Sequence, residues 1–312
     1  MKRLALVIVI AAIGNYLTAA ESGDAPLQLK QTIALPGVEG RIDHLDLDAA
    51  NERLFVCALG NNTAEVLDLR KGERVHTISG LGSPQGLVYI SELNRLFIAN
   101  DKGGVCRIYD AKTFQAVGEL DLKDDADNVR YDDSSKRIYV GFGNGGIAIV
   151  NAPDGKEVGS IKLSAHPEAF ELEKRGKRIF VNVPNSRHVA VIDRDKREVV
   201  TTWKTDLAFA NFPMALDEAN HRLFIGCRLP AKLVVLNTES GDVVAMPRST
   251  SPAIPMTFST TASATASTPS VARERSTPSN KPTQTTTKLL PKSTRRTARA
   301  PDFLCRSATP CS

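Results

Sequence analysis

The tetrapeptide Arg137-Ile138-Tyr139-Val140 recurs in five versions along this chain of 312 residues. Each version is an arginine followed by an aliphatic, an aromatic and a β-branched residue. The other four are Arg53-Leu54-Phe55-Val56, Arg95-Leu96-Phe97-Ile98, Arg178-Ile179-Phe180-Val181 and Arg222-Leu223-Phe224-Ile225. Successive arginines are 42, 42, 41 and 44 residues apart. A nearly constant step of this size indicates a structural repeat.

Two further positions recur in the same register. The first ends a short apolar run and is Asp68, Asp110, Asn151, Asp193 and Asn237. The second is a valine a few residues later, at Val75, Val117, Val158, Val199 and Val243. The agreement of three series predicts five copies of one unit, from about Ile42 to Ala245.

Each unit has the pattern of four short strands separated by turn residues. The third unit predicts strands at Val129–Tyr131, Arg137–Gly141, Ile147–Asn151 and Glu157–Leu163. Apolar residues nowhere follow the 3.6-residue spacing of an amphipathic helix in this span. Four strands in a repeat of about 42 residues are typical of a β-propeller blade. The sequence therefore predicts an all-β fold, a β-propeller of four-stranded blades.

Two strand motifs carry a resemblance to a known family. Phe180-Val181-Asn182-Val183 and Tyr139-Val140-Gly141-Phe142 are variants of a Tyr-Val-Thr-Asn motif. From Leu27 to Ala245 the chain resembles the YVTN-type family of seven-bladed β-propellers, as an exported bacterial member. The resemblance implies the fold but not the activity, because members of this family bind varied partners.

The N-terminus has the pattern of a secretory signal peptide. Lys2 and Arg3 precede the apolar stretch Leu4–Ile13, and small residues follow up to Ala20. We therefore expect a signal peptide at residues 1–20, a propeller at residues 21–245, and a periplasmic or secreted protein. The mature chain has no apolar run long enough for a membrane span.

The C-terminal segment, residues 246–312, differs from the rest in composition. It contains 25 Ser and Thr, nine Pro, no Gly, and ten basic against two acidic residues. This composition predicts a basic, disordered tail. Without the tail and the two basic residues of the signal peptide, the net charge changes from +5 to −5. We therefore expect no nucleic-acid binding through the folded part.

The repeats stop in the middle of a strand, at Asp242–Ala245. If the coding sequence of the tail is read one base earlier, the genetic code permits an arginine at codon 266. This codon lies 44 residues after Arg222. This compatibility predicts that a frameshift near codon 246 replaced blades six and seven of a seven-blade design. The ring would then stay open and expose apolar faces of its blades. The alternative is a five-bladed ring with a disordered tail.

The cysteines show no metal-site spacing. Cys57, Cys106 and Cys227 lie in apolar strand patterns, and Cys305 and Cys311 lie in the tail. We expect the first three to be buried free thiols.

The strongest candidate site lies where the innermost strand of each blade begins, because these positions converge on one mouth of a propeller channel. They are found ten and nine residues before each repeat arginine. The polar ones are Asp43, His44, Gln85, Asp127, Asn128 and Glu168, and their apolar equivalents are Gly86, Ala169, Phe212 and Pro213. The three carboxylates, Asp43, Asp127 and Glu168, could hold Ca²⁺ or another divalent cation. His166 is predicted to lie near the same mouth. The alternative is that the acids only cap turns and are solvated.

Two functions compete at this stage. The first is an exported binding or scaffold propeller that takes a small ligand, a cation or a protein partner at an acidic channel mouth. The second is a metal-dependent, lactonase-like hydrolase. Resemblance to those enzymes implies a divalent ion held by Glu168, Asn128 and either Asp127 or Asp43.

Overall fold

The computed structural model describes residues 29–205 and 208–246, which form five antiparallel sheets of four strands each. Within every sheet, strands that are consecutive in sequence are hydrogen-bonded neighbours. The strands are β1 Leu45–Asp48, β2 Arg53–Ala58, β3 Thr63–Asp68 and β4 Glu73–Ile78; β5 Pro84–Ile90, β6 Arg95–Asn100, β7 Val105–Asp110 and β8 Ala116–Asp121; β9 Ala126–Asp132, β10 Arg137–Phe142, β11 Gly146–Asn151 and β12 Lys156–Lys162; β13 Phe170–Leu172, β14 Arg178–Val183, β15 His188–Asp193 and β16 Glu198–Lys204; β17 Phe209–Asp217, β18 Arg222–Leu229, β19 Ala231–Asn237 and β20 Val243–Ala245.

Helix is almost absent from the described residues, which contain only single turns of 3₁₀ helix. These turns are Leu59–Asn61, Ser91–Leu93, Lys102–Gly104 and Pro184–Ser186. The sequence predicted all four strands of the third unit, and their ends differ from the structure by three residues at most. The all-β prediction and the prediction of four strands per repeat are therefore confirmed.

The arginine series and the Asp/Asn series face each other across the central strands of every sheet. The repeat arginine is the register partner of the Asp or Asn in the next strand, as in Arg53 with Asp68 and Arg137 with Asn151. The same pairing holds for the other three sheets. In the second sheet the Arg95 guanidinium lies 3.0 Å from a carboxylate oxygen of Asp110. The two series are thus one cross-strand feature of the blade.

In four of the five sheets, the Asp or Asn of the pair also builds the turn that follows it. Oδ1 of Asp68 accepts hydrogen bonds from the backbone N–H groups two and three residues later, both at 2.9 Å. Asp110, Asp193 and Asn237 do the same in their own sheets. A short acceptor side chain satisfies turn N–H groups in this way, which explains why only Asp and Asn occur at this position.

Apolar clusters join each sheet to the next one along the chain. Four clusters fill the interfaces between sheets one and two, two and three, three and four, and four and five. The repeat aromatic of each of the first four sheets is buried in the interface with the following sheet. These are Phe55, Phe97, Tyr139 and Phe180. The sheets therefore stack face to face in chain order, a propeller-like arrangement.

Some repeat arginines also link neighbouring sheets. Nη1 of Arg53 donates a hydrogen bond to the backbone carbonyl of Ala111 in the second sheet, at 2.6 Å. Arg178 of the fourth sheet donates to the equivalent carbonyl of Thr238 in the fifth sheet, and also pairs with Glu239. In the first and fourth sheets, the guanidinium of the repeat arginine is thus hydrogen-bonded to the following sheet. We therefore attribute its recurrence to the fold.

The two terminal sheets each have one face without such a partner among the described residues. Phe224, the repeat aromatic of the fifth sheet, is half-buried, whereas its four equivalents are buried. Leu54 of the first sheet is also half-buried, although Leu96, its equivalent in the second sheet, is fully buried against the sheet before it. No buried apolar cluster of the described chain joins the fifth sheet to the first. These two residues are therefore less completely buried than their equivalents inside the row, and the proposed frameshift stays a prediction.

The structure also bears on the predictions for the cysteines, the valine series and a membrane span. Cys57, Cys106 and Cys227 are buried free thiols, as expected. Four of the five valines of the third series are exposed, and the structure places that series on the outer edge strand of the sheets. Within the described part of the chain, no helix is long and apolar enough to cross a membrane. The predicted signal peptide, the cysteines Cys305 and Cys311, and residues 247–312 of the predicted tail lie outside the described residues.

Because inner and terminal faces of the sheets differ in burial, removing an aromatic side chain should affect the free energy of unfolding unequally at the two kinds of face. Phe180→Ala should reduce the free energy of unfolding by about 3–5 kcal/mol, because it opens a cavity in a filled interface. Phe224→Ala should cost less than half as much, because its ring is already partly in water. Urea denaturation of both variants, followed by circular dichroism, measures the two values. Equal losses would show that the fifth sheet is covered as completely as the fourth.

Candidate functional site

One cavity of about 260 Å³ is lined by residues of the second, third and fifth sheets and of the segments that lead into the first strands of the first and fourth sheets. All six polar candidates from the sequence lie in its wall: Asp43, His44, Gln85, Asp127, Asn128 and Glu168. Their apolar equivalents Ala169, Phe212 and Pro213 line it as well. The structure therefore brings the predicted positions together. Their binding of a ligand remains a prediction.

Irregularities at the start of the first strand of three sheets aim side chains into the cavity. The register of β5 against β6 shifts between Pro84 and Leu87, which leaves Gln85 in a bulge. The equivalent shift in the third sheet involves Asp127 and Asn128, and in the fifth sheet Phe212 and Pro213. A bulge releases a residue from the ladder and redirects its side chain. The site is thus built from the same irregularity in several sheets.

Gly86 permits the close approach of two of these strands. A Cβ atom at this position would lie 2.1 Å from the backbone oxygen of Asp127. Any larger residue would separate the second and third sheets at the cavity wall. The absence of a side chain at Gly86 is therefore a packing requirement of the site.

A group of acidic side chains surrounds His166 on the third and fourth sheets. Nδ1 of His166 lies 2.6 Å from the backbone oxygen of Gly143, so this nitrogen carries a proton and donates it to the carbonyl. Nε2 lies 3.8 Å from Oδ2 of Asp125 and 4.0 Å from Oδ2 of Asp127. These two separations are charge contacts and are too long for hydrogen bonds. His166 thus sits between two carboxylates that it does not fully satisfy.

Charge interactions shift the pKa values in this group. Burial lowers the pKa of His166, but the carboxylate of Asp127 and the carbonyl of Gly143 outweigh it and raise the value to about 9. Burial, reinforced by the charge of Asp127, raises the pKa of Glu168 to about 7, although His166 and Arg228 act in the opposite direction. At neutral pH, therefore, His166 is a cation and Glu168 is close to its midpoint.

One acceptor in the cavity wall is left unsatisfied. Asp127 is only 6% exposed, and its Oδ1 atom has no hydrogen-bond partner among the described residues. Its neighbour Asp125 differs, because Oδ1 of Asp125 accepts a hydrogen bond of 2.8 Å from Gln85. A buried carboxylate oxygen without a donor is costly, and native proteins rarely leave one. Asp127 is therefore the wall residue that most needs a donor.

Three arginines, which the sequence reasoning did not predict for the site, also line the cavity. Arg41 lies 2.5 Å from Oδ2 of Asp43. Arg130 donates to Glu171 at 3.2 Å and lies 3.5 Å from Oδ1 of Asn128. Arg228 stacks on Phe212, with 3.6 Å between the guanidinium carbon and the ring centroid. The expected acidic mouth is thus a cavity of mixed charge, with four carboxylates, three guanidinium groups and His166.

A signal for Arg228 was present in the sequence. In an antiparallel pair, the end of the second strand lies beside the start of the first. Asn211 at the start of β17 is the register partner of Cys227, next to Arg228. The repeat series did not reveal it, because no other unit has an arginine six residues after its repeat arginine.

His44 lies between two acids in the sequence, Asp43 and Asp46, and is in charge contact with only the first of them. Its Nδ1 lies 3.4 Å from Oδ1 of Asp43, without the geometry of a hydrogen bond. The second flanking acid, Asp46, accepts hydrogen bonds from the backbone N–H groups of Tyr89 and Leu47 instead. Asp46 therefore has a structural role between the first two sheets.

The donor set fits a divalent cation poorly as it is folded. The described residues contain no group of three or more His, Cys, Asp or Glu side chains placed to hold a metal ion. Of the proposed ligands, Asp43 is paired with Arg41, and Asn128 lies beside Arg130. Three guanidinium groups in the same wall would repel a divalent cation.

No family model matches this sequence.

The environment of His166 predicts its titration. The C–H proton signals of its imidazole ring should titrate near pH 9 in NMR spectra, well above the ordinary value of 6.5. Asp127→Asn should lower this midpoint, because it removes the negative charge that favours the imidazolium ion. Since the pKa is raised in the folded state, the stability that His166 contributes is complete below pH 6.5 and is lost as the pH rises through about 9.

Asp121→Asn is the matched control, because Asp121 lies on the edge strand β8 beside the exposed Lys123. This change should leave the titration of His166 as it is. An unshifted midpoint in Asp127→Asn would contradict the contact between the two residues.

Proposed function

We propose that this chain is an exported, YVTN-type propeller that binds a small polar ligand in the central cavity. The observation that carries the proposal is the buried, unpartnered oxygen of Asp127 in a cavity to which all five repeats contribute. Export is supported by the N-terminal sequence pattern, and family membership by the repeat series and the strand motifs. A binding role is favoured because the cavity is concave and brings polar groups from separate repeats, with shifted pKa values at His166 and Glu168, around one small volume.

The size and the charge of the cavity limit the ligand. About 260 Å³ lies just below the usual range for drug-sized ligands, so the ligand has few non-hydrogen atoms. The ligand must donate a hydrogen bond to Asp127 and tolerate both signs of charge. A protein partner could insert one side chain at most into such a volume.

The hydrolase alternative receives less support from the geometry. Its metal ligands would have to be Glu168, Asn128 and either Asp127 or Asp43. Two of these, Asn128 and Asp43, already lie beside arginines. Hydrolysis of a lactone that depends on added Ca²⁺, and that is lost in Asp127→Asn but not in Asp121→Asn, would favour this alternative.

A thermal-shift screen of small polar metabolites tests the binding role. At least one compound should raise the melting temperature of the wild-type chain, because a ligand that binds only the folded state stabilises it. Asp127→Asn should reduce or abolish the shift, since its amide replaces an acceptor oxygen with a donor. Asp121→Asn should retain the shift.

Circular dichroism spectra should show that both variants keep the wild-type fold. The proposal is wrong if no compound stabilises the wild-type chain, or if the two variants respond alike to every compound that does.

A further inference from the structure

Two of the three guanidinium groups in the cavity wall are paired with carboxylates. Arg41 lies 2.5 Å from Oδ2 of Asp43. Arg130 donates a hydrogen bond to Glu171 at 3.2 Å. Since the protein itself supplies both counter-charges, neither group needs an anionic ligand.

The other charges of the wall also have opposite charges nearby. Burial lowers the pKa of Arg228, while the negative charge of Glu168 acts in the opposite direction. His166 lies between the carboxylates of Asp125 and Asp127, at 3.8 and 4.0 Å. In total the wall contains four basic and four acidic side chains. A ligand with a net charge would lose its hydration here and would find only counter-charges that are already engaged.

Two polar atoms of the wall, however, lack a hydrogen-bond partner. Among the described residues only four buried side-chain atoms are of this kind, in His44, Asp127, Thr205 and Asn211. Two of them, Nδ1 of His44 and Oδ1 of Asp127, belong to residues that line the cavity. A carboxylate oxygen accepts, whereas an imidazole nitrogen donates or accepts according to its tautomer. The wall therefore lacks hydrogen bonds rather than counter-charges.

These two atoms come from different repeats, the first and the third, and the second repeat contacts both residues. The backbone N–H of His44 donates to the carbonyl of Gln85 at 3.3 Å. The next residue, Gly86, lies against the backbone oxygen of Asp127. A ligand that reaches both atoms must therefore carry hydrogen-bonding groups at more than one position of its skeleton.

Hydroxyl groups meet both requirements without a charge. A hydroxyl donates one hydrogen bond, as Asp127 requires, and it also accepts, so that it suits either tautomer of His44. An ammonium group only donates, and a carboxylate only accepts. Either of these would also add a charge to a wall in which the two signs are equal in number.

We propose that the ligand is a small uncharged polyhydroxyl compound, with one hydroxyl bound at Oδ1 of Asp127 and another at Nδ1 of His44. This inference rests on the proposed binding function and specifies its ligand. A cavity of about 260 Å³ has room for a single sugar ring or a short polyol. The apolar residues of the wall, Phe212, Pro213 and Met214, can contact the C–H groups of such a skeleton.

Isothermal titration calorimetry with matched sugars tests the proposal, because polyols also raise melting temperatures without binding. The neutral compounds are glucose, galactose, mannose, xylitol and myo-inositol. Glucosamine, galactosamine and mannosamine keep the hexose skeletons with an ammonium group, and the corresponding uronates keep them with a carboxylate. At least one neutral compound should bind about tenfold or more tightly than every charged compound, because it alone adds hydrogen bonds without adding a charge.

Two variants assign the hydroxyl contacts. Asp127→Asn and His44→Phe should each weaken the binding of that compound about tenfold or more, because each removes an unpartnered atom that the ligand satisfies. The controls Asp121→Asn and His76→Phe change residues of the edge strands β8 and β4, outside the cavity, and should keep the wild-type affinity. Circular dichroism should show the same fold in all four variants.

Deoxy analogues of the compound that binds test the same contacts on the wild-type chain. One analogue should bind the wild-type chain as weakly as the parent compound binds Asp127→Asn. The variant should not weaken this analogue further, because the same hydrogen bond is missing in both.

The possible outcomes separate this inference from the proposed function. The polyhydroxyl ligand is wrong, and the binding function stands, if a charged compound binds as tightly as every neutral one or if no deoxy analogue loses affinity. The same follows if the metabolite screen yields only charged ligands or ligands with fewer than two hydroxyl groups. If neither set of compounds binds, or if Asp127→Asn and Asp121→Asn bind alike, both proposals fall.

Discussion

A four-stranded sheet with two apolar faces cannot bury either of them alone, and the rest of this structure depends on that constraint. Each face must be covered by another sheet, and repetition of one unit supplies a complementary face at every interface. The fully buried rings of Phe55, Phe97 and Phe180 show the result in the interior of the row. Phe224 and Leu54 show its limit, because each points away from the only neighbouring sheet that the described chain provides.

The site is a consequence of the same stacking. No single sheet contains more than a few of the cavity residues, and none could form the cavity alone. Bulges at the start of β5, β9 and β17 turn side chains out of their ladders at equivalent places. Because the first strands of successive sheets lie side by side, these side chains meet. The fold thus concentrates charge where water is partly excluded, and the pKa values of His166 and Glu168 are raised there.

The sequence reasoning succeeded for features that recur in every repeat and failed for features that occur in only one. Arg137 and Asn151 were recognised because each belongs to a series that recurs at a nearly constant step along the chain. Asp127 and Glu168 were recognised because equivalent positions of a repeat converge in a propeller. Arg228 was missed because it has no equivalent in the other units. The sequence therefore predicted an acidic mouth, whereas the cavity has side chains of both charges. The valine series was recognised as a strand, but its place on the exposed outer edge was not.

The sequence by itself determined the unit: four strands, their turns, the recurrence of Arg and of Asp or Asn at fixed positions, and the need of each sheet to bury its faces against another. These features depend on residues that are close in the chain, so a repeated pattern reveals them. Only the tertiary structure decided which charges share the cavity, how far His166 lies from Asp127, and which oxygen lacks a donor. Those facts depend on the packing of side chains from five separate repeats, and no local pattern encodes the distances between them.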